Sequence, residues 1–298
     1  MTVGIRRSTR IRNRFLANKM AMASGAALVF LIAVALLAPW ILDLLGLDPH
    51  ATNLFARNQP AGPGHPLGTD EAGRDILARL ILGSRASLSV GLTTAVTAAV
   101  IGTMIGLAAG YFGGWADRLL MRCTDGVISL PLLPLLIVLS AVDLKKLGLG
   151  WVDGGSGLAL IVLIISLVAW PTVARLVRAE TMSLKSREFV VAARAQGAPP
   201  LYVIRRHILP NTLSPIIVAT TLSVGKIILL ESVLSFLGLG IQPPTPSWGN
   251  MLTNAQDYLF ATPELALWPG LAILTAVIAF NFLGDGLQDA FDPRRDRM

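Results

Sequence analysis

The chain carries the stretch EFVVAARAQGAPPLYVIRRHILP at Glu188–Pro210, a segment with its own helical signals between two long apolar runs. Gly197 interrupts the helical pattern, because glycine tolerates the left-handed conformation that ends a helix. Pro200 can begin a second helix, since a missing N–H is harmless there. The pattern predicts two short helices joined at Gly197, with Ser186 as the first N-cap and Pro210 as the end of the second helix.

This two-helix segment has two interpretations. It is either a surface hairpin that only packs on the membrane, or a docking element whose small apolar tip enters a groove on a partner protein. The pattern by itself favours neither, so the surrounding sequence has to decide.

The rest of the chain has the composition of a membrane protein. Of its 298 residues, 53% are hydrophobic and 14% are charged, against roughly 25% charged residues in soluble domains. A membrane-spanning helix needs about 20 mostly apolar residues. Six stretches meet or approach this length, which predicts an all-α membrane protein with six transmembrane helices. They are Met22–Leu45, Leu88–Phe112, Leu119–Val142, Leu158–Val177, Leu213–Leu239 and Ala266–Leu287.

Basic residues predict how the spans are oriented, because cytoplasmic loops carry an excess of Lys and Arg. With both termini in the cytoplasm, most basic residues fall inside. The outside receives only Arg57, Arg74, Arg79, Arg85, Lys145 and Lys146. The first apolar run exceeds a signal-peptide core of about 7–15 residues, so we expect a retained first span.

The predicted organisation follows from these spans. Residues 1–21 form a basic cytoplasmic segment and residues 22–45 the first transmembrane helix. Residues 46–87 form an extracytoplasmic loop that includes a short amphipathic helix near Gly68–Gly83. Residues 88–298 form the core, with five transmembrane helices and a cytoplasmic loop at 178–211.

The formal net charge of +7 is therefore a topology signal that also suits contact with anionic lipid, and we expect no nucleic-acid partner. Cys123 is the only cysteine, and the three histidines are far apart in sequence. These facts argue against a disulfide and a structural zinc site. Gly225-Lys226 lacks the other residues of a P-loop, so we expect no nucleotide site in this chain.

The Glu188–Pro210 segment resembles the EAA loop of binding-protein-dependent ABC importers, with matches at Ala192, Ala193, Gly197 and the terminal Leu-Pro. Val191 stands where that family often has Glu, and Glu188 lies one helical turn earlier. Three further stretches resemble the C-type permease of dipeptide, oligopeptide and nickel importers, which narrows the family. They are HPLGTDEAGRDILARLILGSRASLSVGL at His65–Leu92, LLESVLSFLGLGIQPPTPSWGNML at Leu229–Leu252 and FNFLGDGLQDAFDPR at Phe280–Arg294.

The resemblance implies a type I importer permease fold and a non-enzymatic transport role. It also implies a second homologous permease, two ATP-binding subunits that hold ATP and Mg²⁺, and an extracytoplasmic binding protein. The expected cargo is a di- or oligopeptide; nickel chelates, opines and other small solutes remain alternatives. The residues it assigns to the ATPase-coupling loop are Glu188, Ala192, Ala193, Arg194, Gly197, His207 and Pro210.

Charged residues within the apolar runs are the other candidates. Glu231 and Lys226 are candidates for the translocation path, and Glu231 could equally pair with a neighbouring span. Asp125 is expected at an interface or paired with a basic residue. Gly102, Gly106 and Gly110 repeat every four residues and predict close helix packing.

Two other functional classes fit less well. An ion-coupled secondary transporter would have repeated halves with broken helices, and we see no such repeat. It also leaves the EAA-like loop unexplained. A membrane enzyme would have a catalytic cluster at one membrane face, and the sequence shows none.

Overall fold

The computed structural model describes residues 12–140, 157–253, 255–258 and 260–291, and these ranges contain helices and no strands. A helical stretch over residues 12–17 precedes eight helices. They are α1 (Lys19–Leu45), α2 (Ile76–Phe112), α3 (Gly114–Ser129), α4 (Leu132–Ser140), α5 (Leu158–Lys185), α6 (Glu188–Ala195), α7 (Pro200–Phe236) and α8 (Glu264–Phe291). Short 3-10 turns lie at Leu54–Ala56, Asn250–Leu252 and Ala255–Tyr258.

Five of these helices, α1, α2, α5, α7 and α8, are long and apolar enough to cross a membrane. The pair α3 and α4 would make a sixth span if it crosses as one unit, but it bends by 88°. The all-helical prediction is thus confirmed, with five or six candidate spans.

The third predicted span, Leu119–Val142, is divided in the described residues between the bent helices α3 and α4. Leu130 precedes Pro131 and has an extended backbone, with φ −74° and ψ 136°. The ring of a proline disfavours the helical conformation in the residue before it. The chain therefore turns at Leu130, and α4 starts afresh from Pro131, whose carbonyl accepts from Leu135 N–H. Residues 141 and 142 lie outside the described ranges.

The separate amphipathic helix predicted near Gly68–Gly83 is also wrong. Helix α2 runs without a break from Ile76, and Asp75 caps it by accepting from Ala78 N–H at 2.7 Å. Small residues in its first turns let the helix continue close to the loop after α7. A Cβ on Gly83 would lie 3.3 Å from the backbone of Ser247.

Helices α2 and α5 approach each other closely along the glycine repeat of α2. A Cβ on Gly102, Gly106 or Gly110 would lie 2.6–2.9 Å from a backbone carbonyl oxygen of α5. These oxygens belong to Trp170, Ala174 and Arg178. The packing interpretation of this repeat is confirmed, since only residues without a side chain permit such an approach.

The other spans complete one bundle. Gly91 of α2 lies against Ile228 of α7, and Gly225 of α7 lies against Val277 of α8. Helix α1 packs on α8, where a Cβ on Gly286 would lie 2.2 Å from Cβ of Ala21. The shared apolar core includes Leu88, Ile165, Ile228, Leu234, Trp248 and Phe280.

Replacing Gly106 by Ala tests the α2–α5 contact. The new Cβ would lie 2.6 Å from the Ala174 carbonyl oxygen, so the helices must separate. We expect the free energy of unfolding to fall by about 1–3 kcal/mol. Gly270→Ala is the matched control, because a Cβ at Gly270 of α8 meets nothing within 4 Å. Thermal unfolding of the detergent-purified protein measures both variants, and equal Tm values would contradict the proposed contact.

Candidate functional site

The segment after α5 forms the two-helix unit that the sequence predicts, with one correction at its start. Arg187, not Ser186, is the N-cap residue of α6. Helix α5 continues to Lys185, so Ser186 belongs to its final turn and donates its hydroxyl to the Ser183 carbonyl at 2.9 Å.

Gly197 ends the first helix of this unit, as predicted. Its φ is +81°, in the left-handed region that favours glycine. Gly197 N–H donates to the Arg194 carbonyl at 3.0 Å, and Ala198 N–H donates to the Ala193 carbonyl at 3.1 Å. The last carbonyls of α6 are thereby satisfied, and the chain turns sharply towards Pro200.

The prediction that Pro210 ends the second helix is wrong. The helix that begins at Pro200 continues through Pro210 to Phe236. A π-helical turn at Ile204–Ile208 precedes the proline, and Leu209 N–H bonds to the Ile204 carbonyl. The wider turn gives room for a residue that has no N–H and whose ring crowds the preceding turn. The second short helix is therefore the start of the α7 span.

The two-helix unit is anchored on one side and open on the other. Val190, Val203 and Ile208 are fully buried, and they pack with Tyr111 of α2 and Val177 of α5. The open side presents large apolar side chains at exposed positions. They are Phe189, Val191, Leu201 and Tyr202, with relative exposures of 44–65%.

The predicted coupling residues fall around this open side. His207 is half-buried, and its ring centroid lies 6.1 Å from that of Phe189 and 5.9 Å from that of Tyr202. Ala193 is half-buried against the anchoring cluster. The remaining predicted residues, Glu188, Ala192, Arg194, Gly197 and Pro210, are exposed.

Basic residues of α5 hold α3 close to this end of the bundle. Arg178 donates to both carboxylate oxygens of Asp117, with Nη2 and Oδ2 2.6 Å apart. Arg175 pairs with Asp125, as the sequence predicts for that acid. Sequence reasoning missed Asp117. Its position as the single acid in the first turn of α3 was the available signal.

Glu231 lies at the opposite end of α7, fully buried among three serines. Its Oε1 accepts from Ser235 at 2.7 Å and from Ser247 at 3.2 Å, and its Oε2 accepts from Ser87 at 3.4 Å. Each serine oxygen in turn accepts a backbone N–H, from Ile241, Asn250 and Trp248 respectively. The carboxyl group thus fastens the loop after α7 onto α2 and α7.

Lys226 is placed differently from Glu231. The two lie five residues apart, about 140° around a helix, and no ion pair joins them in the described residues. Lys226 is exposed and lines a recess between α4, α5 and α7. The structure therefore separates the two charges that the sequence places together in one span.

The fold and this site define a membrane transport subunit: a bundle of spans with an anchored two-helix unit that presents an apolar surface at one end. Residues 102–297 match the family described as the binding-protein-dependent transport system inner membrane component. Residues 8–61 match the N-terminal transmembrane domain of oligopeptide transport permease C. The chain belongs to the family of ABC importer permeases, and it is an inner-membrane protein.

Similar proteins cover nearly the whole chain. The glutathione transport system permease protein GsiD of Pectobacterium atrosepticum is 39% identical over 94% of this chain and 89% of its own length. GsiD of Escherichia coli O6:K15:H31 is 42% identical over 94% of this chain and 88% of its own length. These relatives identify a transport component that has no catalytic activity itself.

A solved structure shares the fold. The MetNI methionine ABC transporter, in an inward-facing conformation, matches with a TM-score of 0.56 and 19% identity. The match covers 72% of this chain and 97% of the solved chain. Family membership implies importer partners, namely a second permease, ATPase subunits and a binding protein.

Replacing Glu231 by Gln tests whether its carboxyl group holds the loop after α7 in place. The amide keeps one accepting oxygen, but its N–H₂ group only donates, so the serine hydroxyl that donated to the second carboxyl oxygen loses its acceptor. We expect hydrogen exchange over residues 241–250 to accelerate roughly tenfold or more, measured by mass spectrometry. Glu264→Gln, in the first turn of α8, is the control. Unchanged exchange in the Glu231 variant would show that the serines do not need the carboxylate.

Proposed function

We propose that this permease moves small peptides, with glutathione as the first cargo to test. The observation that carries the proposal is the similarity of about 40% identity, over nearly the full length, to permeases named for glutathione transport. The match of residues 8–61 to an oligopeptide permease domain supports the same cargo class.

We propose that both termini and the 178–211 loop lie in the cytoplasm, with α3 and α4 together forming one of six spans. The basic residues near the two-helix unit support this orientation, because Arg194, Arg205 and Arg206 are all exposed there. The orientation depends on whether the bent α3–α4 pair crosses the membrane.

Cysteine labelling tests that crossing. Ala17 and Ser186 are exposed and would lie on the same side only if α3 and α4 count as one span. We expect single cysteines at these positions, in a Cys123→Ser background, to stay unlabelled when an impermeant maleimide is added from the outside. A cysteine at the exposed Gln242 is the control for outside labelling. Labelling of Ser186→Cys from the outside would reduce the topology to five spans.

In this proposal, the two-helix unit at Glu188–Pro210 couples ATP hydrolysis in two partner ATPases to alternating access. Its anchored side connects to two spans, since α5 leads into α6 and the second helix continues into α7. Its open side offers apolar groups for a groove on an ATPase. Movement of the ATPases would therefore pull on α5 and α7 directly, and a second, homologous permease would complete the path.

Replacing Ala192 by Arg tests the coupling. Ala192 is exposed, so the variant should fold and insert normally. The added charge would be desolvated against the partner groove, at a cost of a few kcal/mol. In proteoliposomes that contain the complete importer and its binding protein, we expect the wild type to take up glutathione with ATP. The variant should lose ATPase binding or at least nine-tenths of that uptake.

Gln196→Arg is the matched control, because it adds the same side chain at an exposed position that is already polar. Gly197→Val is a second test. A side chain there meets nothing within 4 Å, but the φ of +81° is unfavourable for Val. Wild-type uptake by both Ala192→Arg and Gly197→Val would reduce the unit to a surface hairpin.

A further inference from the structure

Lys226 stands inside the apolar part of α7, ten residues before the helix ends at Phe236. At a rise of about 1.5 Å per residue, that end of the helix is roughly 15 Å away, and the other end, at Pro200, is farther. A lysine side chain cannot reach a membrane surface over such a distance. A charge at this depth faces a protein partner or water, because lipid does not solvate it.

The described part of the chain offers no counter-charge to Lys226. Glu231 points its carboxyl group into the serine cluster on another side of α7. Asp125, the acid of the neighbouring α3, pairs with Arg175. Within the described part of the chain, Lys226 is thus an exposed cation without an acidic partner.

The surroundings of Lys226 form a recess whose lining is mostly apolar and carries a few polar groups. Its side chain lines a cavity of about 240 Å³ together with Leu132 of α4, Thr172 of α5 and Ser223 of α7. Thr172 is exposed, and Arg175 follows it by one turn on the same side of α5. The Arg175–Asp125 pair is itself about half exposed, at 50% and 57%. Polar groups therefore extend from Lys226 towards the end of the bundle that holds α6.

We propose that Lys226 binds a carboxylate of the transported peptide within this recess. The inference rests on the proposed peptide cargo and names the group by which the path recognises it. Every peptide with a free C-terminus carries a carboxylate, and an ammonium group forms charge-assisted hydrogen bonds with it. The recess leaves space beside the ammonium group within one subunit, which suits a passing ligand better than a fixed side chain of the second permease.

Uptake of glutathione tests this assignment in proteoliposomes with the complete importer. Lys226→Met keeps the length of the side chain and removes the charge, and we expect uptake to slow about tenfold or more. Lys226→Arg keeps the charge and should stay within about threefold of the wild type. Leu229→Met changes a neighbouring exposed position and should leave uptake unchanged. Co-purification of the ATPases checks that each variant assembles.

Chemical labelling of the wild-type chain supplies a second measurement. A water-soluble acetylating reagent should modify Lys226 in the assembled importer, as read by mass spectrometry. Saturating glutathione, delivered by the binding protein, should protect Lys226 but leave exposed Lys19 reactive. A Lys226 that is unreactive in every condition is paired with the second permease, which would overturn the inference.

The outcomes separate this inference from the peptide proposal. If the wild type takes up glutathione and Lys226→Met does so at the same rate, the inference is wrong and the peptide cargo stands. If the wild type takes up neither glutathione nor trialanine, the peptide cargo is rejected, and the carboxylate assignment falls with it.

Discussion

The close approach of α2 and α5 is the contact on which the rest of the structure depends. Three glycines of α2 let its backbone lie against carbonyl groups of α5, so that the two helices pack as a pair. Arg178 binds Asp117 of α3, and Lys185 donates to the Tyr111 carbonyl at the end of α2. Because α5 leads directly into α6, the two-helix unit rests on this pair through Val190, Val203 and Ile208. A movement imposed on that unit therefore reaches the middle of the bundle through rigid contacts.

Much of this arrangement is readable from the sequence, because local chemistry determines it. The glycine repeat, the stop at Gly197 and the apolar runs each follow from a residue type whose physical effect is the same in any protein. The errors arose where a neighbouring element overrides a local signal. Pro210 is a strong breaker by itself, yet the π turn before it keeps the helix continuous. Ser186 is a good N-cap by type, but α5 extends to Lys185, so that Ser186 is the C-cap of α5.

The residues of the candidate site also divide into features that local sequence predicts and features that distant residues determine. Sequence reasoning grouped Glu231 with Lys226, because both are charges in one apolar run. Their different environments depend on distant residues: Ser87 and Ser247 for Glu231, and Leu132 and Thr172 for Lys226. Such contacts join parts of the chain that are far apart in sequence, so no local pattern predicts them. In the structure, Glu231 holds the loop after α7 through its serines, whereas Lys226 lies in an open recess.

The π turn at Ile204–Ile208 has a consequence for the geometry of everything after it. A turn closed by an i to i−5 hydrogen bond holds one residue more than the α-helical turn, and one residue corresponds to about 100° of rotation. The wide turn therefore absorbs that additional residue, so the residues after it keep the angular positions that they would have in an uninterrupted α-helix without it. Loss of one residue from the α-helical part between Pro210 and Lys226, where no wide turn absorbs the change, would rotate the rest of the span by about 100°, turning Glu231 away from its serines and Lys226 away from the recess. One continuous helix therefore links the exposed apolar side of the two-helix unit to a buried carboxyl group, with a fixed angle between them.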